Sequence, residues 1–351
     1  MTTAAPGTLL EDIQSKLANG ALAEAGIAIE TLWPDFSLDP NLGYLKALHY
    51  RLKNQPSDAL NLLNDLAQRH PDMARAHQEI ALNSLSLNEP KVALAAAERA
   101  VALDASLLKA WELLEPLHRA FAPEKLGATT DQIHFLKSLP TELRTVIGYL
   151  SAAKLQDAER LCKYFLRTHK THAEGMRLLA EILTRKNILD EAQFILETLR
   201  ELEPENLPAA IQLFHVVMRR QRFHAAFEIA EQLRSDYPLD EDQIKKAYAA
   251  ACFAVGRITE AEALYQQLRQ QFPSDHLIPI SQGHIFNAKG DREAAVESFI
   301  ASAAIKADHG DAYWSLANTK SYRFEEAQIE QMKALEQRAD IGELDRIQMC
   351  F

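Results

Sequence analysis

Residues 192–226, AQFILETLRELEPENLPAAIQLFHVVMRRQRFHAA, begin and end on an alanine and contain one full period of a repeat. An alanine returns at this spacing along the chain, at Ala25, Ala59, Ala93, Ala158, Ala192, Ala226, Ala261 and Ala295. The intervals are 34 residues, apart from one of 35 and one of 65. The long interval is close to two periods, so it predicts one degenerate repeat between Ala93 and Ala158.

Other positions recur in step with this alanine ladder. The residues four and seven positions after each alanine are mostly apolar, as Leu196 and Leu199 are after Ala192, and they trace one face of a helix. Twelve positions after the alanine, a proline that would end the helix stands in four repeats, as Pro71, Pro204, Pro238 and Pro273. Each repeat therefore predicts a helix that stops before the next repeat begins.

Twelve positions before each alanine lies a second row of mostly small residues, on the preceding helix. Its members are Ala47, Ala81, Val146, Ala180, Phe214, Ala249 and Gly283, and Val146 and Phe214 depart from the pattern. Two helix axes approach closely only where side chains are small. The two rows together predict pairs of antiparallel helices that touch at these positions.

A period of 34 residues with these small positions resembles the tetratricopeptide repeat. Good helix formers dominate the segments between turns, and no strand is predicted. The predicted fold is an all-α, right-handed superhelical solenoid. We expect about three repeats in residues 1–105, a degenerate repeat or joint in 106–140 with its second helix at 131–139, about five repeats in 141–308, and a closing helix and linker in 309–351.

The charge of the chain bears on its partners. There are 38 Lys and Arg against 49 Asp and Glu, a net charge of −11, which argues against nucleic acid or an anionic membrane as the main partner. Arg219, Arg220 and Arg222 form a local basic stretch that is either a solvated helix end or a patch for an acidic segment. With no signal peptide and no apolar run long enough to span a bilayer, a cytoplasmic location is predicted.

The motifs of common catalytic and metal sites are absent from the sequence. It contains no GxxxxGK[ST] loop and no HExxH, and His169 and His172 lack a nearby third ligand. Cys162 and Cys252 fall on apolar helix positions and are predicted to be buried thiols, while Cys350 stands apart from both. No catalytic, cofactor-binding or metal-ligating residue is predicted in this chain.

A binding groove can be predicted instead, because in tetratricopeptide arrays the first helix of each repeat lines the concave side. The candidate groove residues are Arg177, Glu181, Arg185, Gln212, His215, Arg219, Lys246, Phe253, His284, Asn287, Trp314, Asn318 and Tyr322. Such polar and aromatic side chains suit a protein or an extended peptide, although each could also simply face water. The Lys, Asn and Arg set that clamps a terminal carboxylate in some of these proteins is not at the corresponding positions.

The C-terminal part resembles a second family. Residues 312–324, AYWSLANTKSYRF, are similar to the junction that closes the repeat array in bacterial tetratricopeptide sulfotransferases, and the likeness includes residues 176–183, MRLLAEIL. In that family a catalytic domain follows, with a phosphate loop that binds phosphoadenosine phosphosulfate. That loop is missing here, so no catalytic residue carries over and the cofactor is expected only where such a domain exists.

Three hypotheses follow. The chain is the recognition arm of a sulfotransferase whose catalytic half is absent, a free-standing interaction adaptor without turnover, or an array that self-associates into a homo-oligomer. Because the sequence stops within an apparent helix at residues 343–351, we expect either a fragment of a longer enzyme or a gene that lost its enzyme half.

Overall fold

The computed structural model describes residues 4–237, 242–338 and 341–350. Within these residues the chain forms twenty-one α-helices and one short 3-10 turn, and no strand is found there. This confirms the predicted all-α fold built from antiparallel helix pairs. The helices group into two compact units that divide between Ile182 and Leu183, and each unit is described separately below.

The first unit contains five helix pairs. Their bounds are α1 Gly7–Ala18, α2 Leu22–Phe36, α3 Pro40–Leu52, α4 Pro56–Arg69, α5 Ala74–Ser86, α6 Pro90–Leu103, α7 Leu108–Phe121, α8 Leu126–Ser138, α9 Thr141–Ser151 and α10 Leu155–Thr168. Helix α11, Ala173–Arg185, begins in this unit and ends in the second. The odd-numbered helix of each pair is called the first helix and the even-numbered one the second helix.

The second unit continues the alternation. Its helices are α12 Leu189–Leu202, α13 Leu207–Arg219, α14 Phe223–Asp236, α15 Asp242–Ala254, α16 Ile258–Gln271, α17 Leu277–Lys289, α18 Arg292–Ile305, α19 Gly310–Asn318, α20 Glu326–Glu336 and α21 Glu343–Met349. Pro71, Pro204 and Pro273 each follow the end of a second helix by two residues, as predicted. Pro238 lies outside the described residues.

The alanine ladder marks the contact between helices. Each of its eight alanines is the fourth residue of a second helix, and each is fully buried. In the long interval the fourth residue of α8 is Thr129, which is 2% exposed. A small residue therefore stands at this position in α8 as well, and Thr129 is the residue that the alanine pattern did not reveal.

The pair α7 and α8 differs from its neighbours at the turn. Helix α8 begins at Leu126, directly after the 3-10 turn Pro123–Lys125, and not at residue 131 as predicted. The Thr129 hydroxyl donates to the Lys125 carbonyl and lies 2.7 Å from Nδ1 of the buried His118. Glu98 Oε1 lies 3.3 Å from His118 Nε2 and accepts from the Lys125 ammonium, so polar contacts tie this pair to α6.

In two of the helix pairs the facing residues are complementary in size. Gly283 on α17 faces the buried ring of Phe299 on α18, and a Cβ on Gly283 would lie 2.3 Å from that ring. At the same two positions in α13 and α14 the order is reversed, with the fully buried Phe214 and Ala230. The large Phe214, which departs from the row of small residues, is thus matched by the small Ala230 at the facing position, because the space between two packed helices is fixed.

The turn between the two helices of a pair uses a left-handed residue. It lies five positions before the ladder residue, at Gly20, Asn54, Asn88, Ala153, Asn187, Gln221, Gly256 and Gly290, where φ is between 54° and 81°. Glycine and asparagine adopt this conformation readily, whereas an alanine is strained by about 1–2 kcal/mol. Ala153, with φ of 54°, is therefore a local source of instability.

Replacing Ala153 by glycine is expected to raise the free energy of unfolding by about 0.5–1 kcal/mol, because the strain of the left-handed conformation is relieved. Urea unfolding followed by circular dichroism measures this change. The matched control is Ala152→Gly, at the neighbouring helix end where φ is −83°. A glycine at 153 that stabilises no more than a glycine at 152 would contradict this reading of the turn.

The C-terminal segment that follows Asn318 packs onto helix α19. Tyr322 and Phe324 pack against the apolar cluster that includes Phe299 and Leu316. Helix α21 contacts α19 so closely that a Cβ on Gly310 would lie 2.4 Å from the Asp345 carbonyl oxygen. The Asp345 carboxylate also accepts from the Gly310 backbone N–H at 2.9 Å.

Candidate functional site

The predicted groove residues of the first unit are Arg177 and Glu181, on α11. The Arg177 guanidinium forms two hydrogen bonds to the Glu174 carboxylate, at 2.7 and 2.8 Å, and lies 3.7 Å from Glu181. Burial lowers the pKa of Arg177, but Glu174 and Glu181 raise it by more, so the pKa lies above its usual value. The three side chains form a local ion cluster on one helix.

Arg185 and Arg219 stand at the ends of their helices, α11 and α13. Arg219 donates to the Thr184 carbonyl at 2.9 Å and to the Asn187 side chain at 3.3 Å, so it supports the turn after α11. Its neighbour Arg220 pairs with Asp190 and Gln193. Two arginines of the basic stretch therefore have structural roles.

The next predicted residues lie on α13 and α15. Gln212 is half-buried, and His215 is exposed, with its ring in an edge-to-face arrangement with Phe214 and 5.2 Å between the ring centres. Lys246 forms an ion pair with Asp275 at 2.7 Å and lies 4.5 Å from the centre of the Phe272 ring. Lys246 thereby links α15 to the start of α17.

The remaining predicted residues lie on or after α15. Phe253 and His284 are half-buried, and burial lowers the pKa of His284, whose ring contacts Phe299. Three more are exposed and stand on α17 and α19: Asn287, Trp314 and Asn318. Tyr322 does not stand on a first helix, because α19 ends at Asn318; its hydroxyl bonds instead to Gln328.

The two histidines and the two apolar-face cysteines singled out in the sequence have packing roles. His169 stacks on the Phe165 ring at 4.4 Å, and His172 meets the same ring edge-on at 5.1 Å. Cys162 and Cys252 are buried, as predicted, and burial raises the pKa of Cys162 to about 12. Among the described residues no three His, Cys, Asp or Glu side chains are grouped to hold a metal ion.

No helix in the described ranges is long and apolar enough to cross a membrane.

A groove in the first unit was not predicted from the sequence. It has a volume of about 840 Å³, and we call it the α9 groove. Its lining residues are Asn41, Asp72, Met73, Ala74, Arg75, Leu103, Asp104, Ser106, Leu107, Thr141, Arg144, Thr145, Gly148, Tyr149, Ser151, Ala152, Ala153 and Lys154.

The position of α9 forms this groove. Only Leu139 and Pro140 separate α8 from α9, whereas residues 70–73 separate α4 from α5. Helix α9 approaches the connection between α6 and α7, where a Cβ on Gly148 would lie 2.9 Å from Ser106 Oγ. The Ala105 N–H also donates to Ser151 Oγ at 3.4 Å. The groove is therefore bounded on one side by α9.

One signal in the sequence does point to this place. Thr129 lies 36 residues after Ala93 and only 29 before Ala158, so the repeat shortens between α8 and α10. The signal could be read only once Thr129 was known to replace an alanine of the ladder. The lining residues themselves come from segments far apart in sequence and share no motif.

Comparison with known proteins gives no family assignment. No family model matches the chain. No curated protein matches it either. Solved structures show a distant likeness: a tetratricopeptide repeat protein of Parabacteroides merdae is 13% identical over 79% of this chain and 97% of its own length, with a TM-score of 0.49.

Two smaller proteins show a similar likeness. YrrB, described as a tetratricopeptide protein with an unusual peptide-binding site, is 17% identical over 55% of this chain and 97% of its own, with a TM-score of 0.41. MamA of Desulfovibrio magneticus is 15% identical over 48% of this chain and 98% of its own, also at 0.41. The fold assignment rests on the helix pairs themselves. They form a tetratricopeptide-type array.

Proposed function

We propose that this chain is a protein-interaction scaffold that binds an extended peptide along the first helices of its second unit. The observation that supports this most is the run of accessible polar and aromatic side chains on successive first helices: His215 on α13, Phe253 on α15, His284 on α17 and Trp314 on α19. Aromatic side chains that keep an exposed edge supply contact area at low entropic cost. Such a run suits an extended chain better than a small ligand.

A displayed library of random 12-residue peptides would test the proposal. We expect selected peptides to bind with Kd values in the micromolar range and to lose about tenfold in affinity with Trp314→Ala or Phe253→Ala. Fluorescence anisotropy with labelled peptides measures this loss.

The control variant is Phe194→Ala. Phe194 is 69% exposed but lies on a second helix, α12, so its removal should leave affinity unchanged. If no peptide is selected, or if Phe194→Ala weakens binding as much as Trp314→Ala, the proposed surface is wrong.

We further propose that this scaffold serves as the recognition arm of a sulfotransferase. The support is the resemblance of residues 312–324 to the junction of that family, together with their place directly after the last full helix pair. No phosphate loop for phosphoadenosine phosphosulfate is present in the sequence, so no catalytic step is derived from this chain. The intact mass of the protein from its native cell tests this: a mass well above 39.4 kDa supports it, and an equal mass favours a free-standing adaptor.

We also propose a reducing, cytoplasmic location, because all three cysteines are free thiols and two of them are buried. Self-association is the competing structural role. Sedimentation at several concentrations distinguishes a monomeric scaffold from a homo-oligomer.

A further inference from the structure

We propose that the α9 groove binds an acidic, extended segment of a partner protein. This inference rests on the proposed function, because it assumes that the chain recognises peptides. It adds a second site in the other unit and names the chemistry of its ligand.

The shape of the groove fits a chain segment. Its lining begins at Asn41 at the start of α3 and passes two successive repeat connections, at residues 72–75 and at residues 103, 104, 106 and 107. It ends along α9 and the turn that follows it, residues 152–154. Four segments that lie far apart in the sequence therefore line one continuous path: the start of α3, the two repeat connections, and α9 with the turn after it. A compact ligand would touch only part of such a path, whereas an extended peptide can contact each segment in turn.

The charges of the groove favour a negative ligand. Arg75, Arg144 and Lys154 line it, and within the described part of the chain none of them forms an ion pair with a carboxylate. Elsewhere in this unit Arg69 pairs with Asp65 and Lys163 with Glu159. Three unpaired cations in one groove are notable in a chain with a net charge of −11.

The groove also contains two acidic residues, Asp72 and Asp104. The Asp104 carboxylate already accepts hydrogen bonds from the backbone N–H and the hydroxyl of Ser106, at 2.9 and 2.6 Å. Its charge is thus partly satisfied by Ser106. Cationic side chains outnumber acidic ones in the lining, so an acidic segment is complementary to it.

Neutral contacts for a peptide are present beside the charges. The side chain of Asn41 is exposed at one end of the groove, and an amide side chain can both donate to and accept from a peptide backbone. Half-buried Met73, Leu107 and Tyr149 add apolar surface to the same lining. A lining with both apolar and cationic groups is complementary to a segment that carries both apolar residues and carboxylates.

The test uses a labelled eight-residue peptide of alternating Glu and Leu, with the Lys–Leu peptide as its charge-reversed partner. Fluorescence anisotropy should show that the Glu peptide binds at least tenfold more tightly, with an affinity that falls as salt rises from about 50 to 300 mM. Arg144→Gln combined with Lys154→Gln should weaken this binding about tenfold, since each exposed charge pair supplies a few-fold in affinity. The matched control is Arg160→Gln, an exposed arginine on α10 outside the groove.

Three results would overturn the inference. They are equal affinity for the two peptides, an equal loss of affinity with Arg160→Gln, and complete displacement of the Glu–Leu peptide by succinate at the same concentration as the peptide. The failure of this inference is distinct from a failure of the proposed function. If library-selected peptides still bind and depend on Trp314, the scaffold function stands while the acidic site falls. If neither kind of peptide binds, both proposals fall.

Discussion

Replacing Gly283 by alanine is expected to lower the free energy of unfolding by about 2–3 kcal/mol. The new Cβ would lie 2.3, 2.6 and 2.8 Å from three atoms of the Phe299 ring, and that ring is 1% exposed. The ring has no solvent-filled space into which it can turn, so the helices must separate or the ring must leave its rotamer. Urea unfolding monitored by circular dichroism measures the loss.

A compensating change should restore much of this stability. In the second repeat the two corresponding positions are Ala47 and Leu63, both fully buried. The double variant Gly283→Ala with Phe299→Leu reproduces that combination, and we expect it to be more stable than the Gly283→Ala variant. The control is Gly127→Ala in α8, where nothing lies within 4 Å of the added Cβ, so stability should be equal or slightly higher. Simple additivity of the two substitutions would contradict the size-matching account.

Replacing Gly310 by alanine is expected to displace helix α21. The added Cβ would lie 2.4 and 2.7 Å from the carbonyl oxygen and Cα of Asp345, and these are backbone atoms that cannot turn away. The contact between α19 and α21 must therefore open, which exposes Met349 and Leu335 of the terminal apolar cluster. Hydrogen exchange should increase strongly in residues 343–349.

The helix pairs of the first unit should be unaffected by this substitution, because Gly310 and Asp345 both belong to the second unit. Gly7→Ala is the control, since its Cβ would meet nothing within 4 Å. A second variant, Asp345→Asn, tests the same contact with little change in size, because it weakens the acceptor of the Gly310 N–H. Unchanged exchange in α21 after Gly310→Ala would show that the close approach is not required for its docking.

The sequence predicted the helix pairs because their signal is local and periodic. A residue that must be small at each helix contact leaves a regular pattern, and the eight alanines of the ladder occupy that contact. Thr129 was missed because a hydroxyl residue does not match the alanine pattern, although it satisfies the same limit on size. The start of α8 was placed five residues late because the 3-10 turn at Pro123–Lys125 continues directly into the helix.

The candidate site was less predictable, because it depends on contacts between distant residues. The cluster of Glu174, Arg177 and Glu181 could be read from helical spacing alone, since charges three and four positions apart are neighbours. The ion pair of Lys246 with Asp275 spans 29 residues and needs the packed helices to form. The α9 groove depends on how α9 leaves the short connection after α8, and no local pattern encodes that direction.

The location of a bound peptide on the scaffold directly tests whether the first helices form the binding surface. A library-selected peptide with a photoreactive benzophenone at its centre would be crosslinked to the protein, and the attachment sites mapped by mass spectrometry. Attachment is expected on the first helices of the second unit, α13, α15, α17 and α19, near His215, Phe253, His284 or Trp314. Attachment mainly on the second helices α12, α14, α16 and α18 would contradict this expectation.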